Sequence, residues 1–279
     1  MTSTPTTASG VESVQLCRSG PVATIVLNRP ERKNAIDTAA WVQLQEAVHA
    51  VAEDDDIRVL VLTGAGGNFS AGADLGGGED SRRHRTQLER MQWFNDIVLS
   101  IHALRIPTIA RVDGLAIGIG MNIALACDFV VATDRARFSE IFIKRALSVD
   151  GGGSWLLPRL VGLHRAKALC LLGDMIPAAE AQDLGLVTYI VAPESLTSTV
   201  DDLAARLTAK SRLALAQTKR LLDEGLSLTL EQALENEARA QAINIASEDF
   251  KIAMEQFRST TTETSATNGK SAANGKSDG

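Results

Sequence analysis

Two stretches of this chain, residues 114–127 and Asp150 with the glycines after it, have the residue types and spacing to do chemistry. Residues 114–127 carry no charge, begin with three glycines within seven positions and then become apolar apart from Asn122. Glycines that enter an apolar helix allow close approach to the backbone and leave the first amide N–H groups facing outward. Such a helix start can receive an anion or a developing oxyanion. The alternative is a core helix that packs closely through small residues.

Asp150 stands immediately before Gly151, Gly152 and Gly153, which enter another helical stretch. A carboxylate at this point could exchange a proton with a substrate as a general acid or base. It could equally cap the N-terminus of the helix, where aspartate is a favoured residue. A further glycine-rich stretch, residues 64–78, holds seven glycines and is too long for a simple connection.

The elements that must position these residues follow from the hydrophobic pattern. Apolar positions between Trp41 and Val51, and between Met91 and Leu104, recur at helical spacing, and Asp37 suits the N-cap of the first helix. Helical patterns also cover residues 163–172, 177–184 and most of the chain from Pro193 to Phe257. Short buried runs predict strands at residues 14–18, 22–27, 58–63, 108–112, 128–132 and 187–191. Strands that alternate with helices predict an α/β fold, with the ligand where glycine-rich loops meet helix starts.

Composition excludes several classes of function. The chain has 279 residues, 45% of them apolar and 22% charged, with a formal net charge of -6. This balance argues against a general nucleic-acid or membrane-surface binder. Scattered cysteines and histidines predict no metal site. No signal peptide is visible and no apolar run reaches the roughly 18 residues of a membrane span, so a cytoplasmic location is expected.

Four local patterns, in order and in register, resemble the crotonase (enoyl-CoA hydratase/isomerase) superfamily. Residues 27–35 (LNRPERKNA) resemble its N-x-P…N-A segment, and residues 68–75 (NFSAGADL) resemble its F-x-A-G-x-D-L loop. Residues 114–128 resemble its glycine-rich helix entry and C-D strand, and residues 152–162 (GGSWLLPRLVG) resemble its G-G-x-x-x-L-P-R-x-x-G helix. The resemblance covers roughly residues 12–258.

The resemblance implies a spiral of repeated ββα units with a C-terminal helical region used in trimer assembly. It implies an acyl-CoA thioester as substrate, no cofactor beyond that CoA moiety, and a homotrimer or dimer of trimers. The boundaries expected are a disordered N-terminus at 1–11, a CoA-binding core at 12–194, helices at 195–259 and a disordered tail at 260–279. The family pattern says nothing about the acyl chain, whose pocket is expected to be lined from residues 76–100 and 140–150.

The resemblance also implies which residues bind the substrate. Two backbone N–H groups hold the thioester oxygen in this family, and they fall at Ala73 and Ile119. Two preorganised donors would stabilise the charge that an enolate places on that oxygen. Asp74 is expected to fix its turn. The CoA-binding residues implied by the resemblance are Arg29, Lys33, Ala71, Gly72, Ala73, Asp74, Leu75 and Phe257.

Hydratases of this family use two glutamates, and both are replaced here. The matching positions are Asn122 and Phe142, neither of which can exchange a proton near neutral pH. Asp150 resembles the single aspartate of family members that act as double-bond or ring isomerases. Glu140 falls outside the family's acid position, and a solvated or ion-paired surface role is expected for it. Trp155 is expected in the core, and His164 on the surface at a helix start.

These observations favour an enoyl-CoA isomerase in which Asp150 alone moves the proton. The first alternative is an enoyl-CoA hydratase, or a C–C hydrolase, that uses water held by Asn122 and Asp150. The second is a non-catalytic acyl-CoA-binding protein, because both hydratase acids are missing. A purely structural trimer is a weaker third alternative.

Overall fold

A computed structural model describes residues 12–74, 76 and 86–258. The described residues as far as Lys210 form one compact unit, and those from Ser211 onward form a second. The predicted boundaries at 11/12, 194/195 and 259/260 stay predictions. The expected α/β organisation is confirmed: strands and helices alternate through the first unit, and helices make up the described part of the second.

Two sheets organise the first unit. The larger sheet has six strands in the order β1-β2-β3-β4-β6-β9, with an antiparallel β1–β2 hairpin and parallel pairs thereafter. The smaller sheet has the order β5-β7-β8. The strands are β1 (Val14–Ser19), β2 (Val22–Leu27), β3 (Val59–Gly64), β4 (Thr108–Val112), β5 (Leu115–Ile117), β6 (Phe129–Thr133), β7 (Arg137–Ser139), β8 (Ile176–Pro177) and β9 (Tyr189–Val191).

Helices connect the strands and cover both faces of the larger sheet. Those of the first unit are α1 (Thr38–Glu53), α2 (Gln87–His102), α3 (Ile119–Leu125), α4 (Gly153–Val161), α5 (Leu163–Leu172), α6 (Ala178–Asp183) and α7 (Leu196–Thr208). The second unit contains α8 (Arg212–Gly225), α9 (Leu230–Ile245) and a helical segment over residues 248–258. Asp37 caps α1 as predicted, since its side chain accepts a hydrogen bond of 2.8 Å from the amide of Ala40.

The chain repeats a ββα unit, as expected. In β4-β5-α3 and again in β6-β7-α4, the first strand enters the larger sheet, the second enters the smaller sheet, and a helix follows. The isolated bridges Ile36–Ala73 and Ser70–Ala116 connect the smaller sheet with the segments that follow β2 and β3. These bridges place Ile36, residues 70–73 and β5 side by side.

The larger sheet is buried on both faces, which explains the continuous apolar runs of its central strands. Leu60 and Leu62 of β3 face the main core with Trp41 of α1. Val59 and Val61 face the opposite side, where they belong to a second cluster with Val200 and Leu203 of α7. Helix α7, grouped by its sequence with the C-terminal helices, therefore packs on the sheet of the first unit.

Trp155 was expected in the core, and this prediction is wrong. Its side chain on α4 is 38% exposed. The Arg159 guanidinium lies 4.0 Å above the indole, and His102 meets the ring edge-on at 5.7 Å. The basic and aromatic neighbours keep the indole at the surface, where a cation–π contact is favourable. His164 is exposed in the first turn of α5, as predicted.

Candidate active site

The loop at residues 70–74 lies directly against β5. The amide of Ser70 donates to the carbonyl of Leu115 at 2.8 Å, and the amide of Ile117 donates back to Ser70 at 3.0 Å. Gly72 has a φ of +95°, and a Cβ there would lie 2.8 Å from the Ile117 carbonyl oxygen. Glycine therefore permits both the conformation and the close approach. These contacts hold the first glycine-rich loop beside the strand that leads into α3.

The amides of Ala73 and Ile119 lie in adjoining segments. Ile36 pairs with the carbonyl of Gly72 and the amide of Asp74, so the amide of Ala73 between them points the opposite way. Ile119 is the first residue of α3, so its amide has no acceptor within the helix. Within the described ranges, neither amide donates a hydrogen bond to the protein. The sequence prediction that these two donors act together stays a prediction, and their placement agrees with it.

Most of the predicted CoA-binding residues come together around this loop. The amide of Ala71 donates to the carbonyl of Lys33 at 2.9 Å, which places the exposed Lys33 next to residues 71–74. Leu75 lies outside the described residues. Phe257 belongs to the second unit, where its side chain is 65% exposed.

The Arg29 side chain pairs with acidic and carbonyl groups of the protein. Its guanidinium contacts the carboxylates of Asp74 at 3.0 Å and Asp37 at 3.2 Å, and donates to the carbonyl of Ala35 at 2.6 Å. Burial acts to raise the pKa of Asp74, but hydrogen bonds from Arg29 and the Gly76 amide, with the charge of Arg29, hold it below its ordinary value. These contacts favour a positioning role for Arg29, and its predicted contact with a CoA phosphate stays a prediction.

Asn122 joins the two carboxylic acids of the site. Its side chain on α3 is fully buried, and Nδ2 donates to the backbone carbonyl of Asp150 at 2.9 Å. The same nitrogen lies 3.4 Å from Oε2 of Glu140. A Cβ on Gly153 would lie 2.7 Å from Nδ2, so the glycine run after Asp150 lets α4 approach α3. We call Asn122, Glu140 and Asp150 the Asn122 cluster.

The Asp150 side chain does not cap α4, which removes one of the two sequence interpretations. The N-cap residue is Gly152, and no side chain provides a capping hydrogen bond there. In the part of the chain that is described, Oδ1 of Asp150 is buried and has no hydrogen-bond partner. Burial raises the pKa of this carboxyl to about 6. A partly buried carboxylate whose pKa lies near neutrality is suited to accept and return a proton.

Glu140 was expected at the surface, and this prediction is wrong. Its side chain is 0% exposed, and Oε1 has no hydrogen-bond partner in the described ranges. Burial, together with the charge of Asp150, raises its pKa to about 8, although the contact with Asn122 acts in the opposite direction. Strand β7 ends at Ser139 and a 3-10 turn begins at Ile141, so strand alternation does not apply at Glu140. The signal available in the sequence was the position of this acid between two apolar residues, Phe138 and Phe142. Both are buried in the structure.

The sequence profile of the enoyl-CoA hydratase/isomerase family matches residues 18–264. The chain belongs to this family. As a member of the enoyl-CoA hydratase/isomerase family, within the crotonase superfamily, it is an acyl-CoA enzyme, and the expected crotonase fold is confirmed.

Relatives of this chain carry different activities in their names. The 1,2-epoxyphenylacetyl-CoA isomerase of Escherichia coli K12 is 36% identical over 244 residues, covering 85% of this chain and 91% of that protein. The crotonyl-CoA hydratase of Syntrophomonas wolfei subsp. wolfei is 32% identical over 250 residues, covering 88% and 95%. A Thermobifida fusca YX protein assigned as a candidate enoyl-CoA hydratase, crystallised with CoA, superposes with a TM-score of 0.78 at 33% identity, covering 84% and 93%.

The described residues also bear on the expectations about metal binding and membrane association. Among the residues with described positions, no group of three or more His, Cys, Asp or Glu could hold a metal ion. No helix within those same residues combines the length and apolar character needed to cross a bilayer.

Proposed function

We propose that this enzyme shifts the double bond of an enoyl-CoA, with Asp150 as its acid and base. The observation that carries the proposal is the buried Oδ1 of Asp150, which lacks a partner among the described residues. The next residue, Gly151, lies so close to Ile119 that a Cβ would overlap Cδ1 of that side chain. A free carboxylate thus adjoins the helix start that is proposed to bind the thioester oxygen.

The reaction needs a single proton carrier. Asp150 removes a proton from C2 of a 3-enoyl-CoA, and the electron pair delocalises onto the thioester oxygen and C4. The amides of Ala73 and Ile119 stabilise that dienolate oxygen. The protonated Asp150 then returns the same proton to C4, which yields the 2-enoyl-CoA and regenerates the carboxylate. Asn122 holds the backbone of Asp150 and so orients the base.

Substrate binding is proposed to follow the family pattern. The loop at residues 71–74 and Lys33 present backbone groups and a positive charge to CoA, and the contacts of Leu75 and Phe257 with CoA stay predictions. The substrate supplies the CoA moiety, so no separate cofactor is proposed. A homotrimer, or a dimer of trimers, is the proposed assembly.

The test is incubation of the purified enzyme with 3-enoyl-CoA and, separately, with 2-trans-enoyl-CoA, followed by chromatography of the products. We expect interconversion of the two isomers and its loss in Asp150→Asn. Asp174→Asn is the matched control, because Asp174 is an exposed partner of Lys144. Formation of 3-hydroxyacyl-CoA without isomerised product would exclude the isomerase proposal, and turnover that survives in Asp150→Asn would exclude Asp150 as the proton carrier.

One observation favours a hydratase as the second candidate. The Asn122 cluster holds two carboxyl groups, and hydration of an enoyl thioester uses one to activate water and another to supply the α-proton. The relative named crotonyl-CoA hydratase agrees with this possibility. Net hydration of 2-trans-enoyl-CoA, abolished by Asp150→Asn, would support it. Calorimetric binding of acyl-CoA with no turnover of either isomer would instead indicate a non-catalytic binder.

A further inference from the structure

Glu140 is a buried acid that the proposed reaction does not use. Its Oε2 faces Nδ2 of Asn122 at 3.4 Å, and the same nitrogen donates to the carbonyl of Asp150 at 2.9 Å. One hydrogen of this amide group therefore points to the Glu140 carboxyl, and the other is donated to the backbone carbonyl of Asp150. Glu140 and Asp150 are thus linked through one buried side chain.

Among the described residues, the groups that face Glu140 provide no positive charge. Asp150 and Cys170 of α5 are the titratable groups that interact with it, and burial together with the charge of Glu140 raises the pKa of the Cys170 thiol to about 11. Lys144 on the adjoining 3-10 turn is exposed and pairs with Asp174 at 3.1 Å, and Arg145 on the same turn is exposed. A fully buried carboxylate with one weak N–H donor and no cation is strongly disfavoured relative to its protonated form.

We propose that Glu140 is a positioning residue that acts in its protonated form, holding Asn122 and thereby the backbone of Asp150, and that its ionisation switches the enzyme off. This inference rests on the proposed role of Asp150. Two carboxyl groups in one buried site cannot both ionise without repulsion, so a neutral Glu140 leaves the negative charge on Asp150. A second charge would also oppose the negative charge that develops on the dienolate.

The first test measures kcat and KM from pH 5 to pH 9.5 for the wild type, Glu140→Gln and Glu140→Ala. The wild type should lose activity with an apparent pKa near 8. Glu140→Gln resembles the neutral acid, so it should keep kcat within about threefold at pH 7 and retain it at pH 9. Glu140→Ala removes the partner of Asn122 and should lower kcat about tenfold or more with little change in KM. Glu53→Gln, at an exposed position, is the control.

Two outcomes would overturn the proposal. If Glu140→Gln is as inactive as Glu140→Ala, the neutral side chain is not sufficient for positioning. If the alkaline loss of activity persists in Glu140→Gln, another group causes it.

An infrared measurement separates this inference from the proposed function, because it needs no turnover. At pH 7 the wild type and Asp150→Asn should both show the C=O stretch of a protonated buried carboxylic acid, and Glu140→Gln should lack it. Absence of this band in the folded wild type at pH 7 would refute the protonated Glu140 even if the enzyme isomerises enoyl-CoA. If the band is present but the protein has no isomerase activity, Glu140 is protonated as proposed, and the proposed isomerase reaction is refuted.

Discussion

The Arg29 guanidinium lies 3.0 Å from the carboxylate of Asp74, while the same side chain reaches Asp37 at the N-cap of α1. One cation therefore ties the first turn of a helix to the loop that carries the Ala73 amide. The two contacts are largely shielded from solvent, with side-chain exposures of 17% for Arg29 and 16% for Asp74. The loop geometry at Ala73 thus depends on a residue distant in the sequence.

Replacing Arg29 by Met should lower kcat about tenfold or more, since the loss of a charge-assisted hydrogen bond and ion pair frees the loop at residues 72–74. KM should change less, because the backbone groups that are proposed to contact CoA remain. Arg18→Met is the matched control, since Arg18 of β1 makes an exposed pair with Asp54 at the C-terminal end of α1. A large rise in KM with unchanged kcat would instead support direct binding of a CoA phosphate by Arg29.

The pH dependence of kcat/KM should reveal Asp150 on the acid side. Burial raises the pKa of its carboxyl to about 6, and the ionised form is the base, so activity should rise as the pH increases through about 6. Initial rates of isomerisation between pH 4.5 and pH 7.5 measure this limb. An acid limb near pH 4, the ordinary range for aspartate, would contradict the raised pKa of Asp150.

The stability of the protein should carry an unusual pH dependence from Glu140. Its pKa in the folded state, about 8, lies above the ordinary value of 4.5, so the folded state binds more protons between those values. Stability from this group is therefore present at low pH and decreases as the pH rises towards 8, by at most ~1.4 kcal/mol per pH unit. Glu140→Gln should remove that slope and be more stable than the wild type at pH 9.

Urea unfolding at pH 5, 7 and 9 measures the effect as the difference between wild type and variant. The difference separates the contribution of Glu140 from that of other groups that titrate in this range, such as Asp150, whose pKa burial raises to about 6. Parallel pH profiles for the two proteins would contradict the prediction.

Gly151→Ala should disturb the site more than a comparable change elsewhere. Gly151 has a φ of +56°, and an added Cβ would overlap the Ile119 side chain. Gly20→Ala is the matched control, since Gly20 has the same φ of +56° but nothing within 4 Å of an added Cβ. Both variants should show the left-handed backbone strain of about 1–2 kcal/mol, and Gly151→Ala should also lose activity. Equal activities in the two variants would argue against a close fit between the Asp150 loop and α3.

Local signals in the sequence predicted the elements correctly where they were strong. The strands predicted at residues 14–18 and 22–27 form the β1–β2 hairpin, Asp37 caps α1, and the glycines before Ile119 do enter a helix. Each of these features depends on backbone preferences or hydrogen bonds within a few residues. The strand after Val187 begins only at Tyr189, because its pairing with β6 determines where it starts.

The candidate site was predicted less completely, because burial depends on residues distant in the sequence. Periodicity could not place Glu140, which follows the end of β7 at the start of an irregular turn. Its burial results from packing against Asn122, which lies 18 residues away. Local sequence patterns also could not predict the ion pair between Arg29 and Asp74, which are 45 residues apart.

The sequence by itself determined the α/β architecture, the family, the glycine-rich loops and the presence of Asp150, because these depend on residue type, order and short spacing. Only the tertiary structure decided how those parts meet. It showed that Asp150 does not cap its helix, that Glu140 is buried beside Asn122, and that Arg29 holds the Asp74 loop. The physical reason is that protonation and ion pairing are set by desolvation and by neighbouring charges, and chain folding determines both.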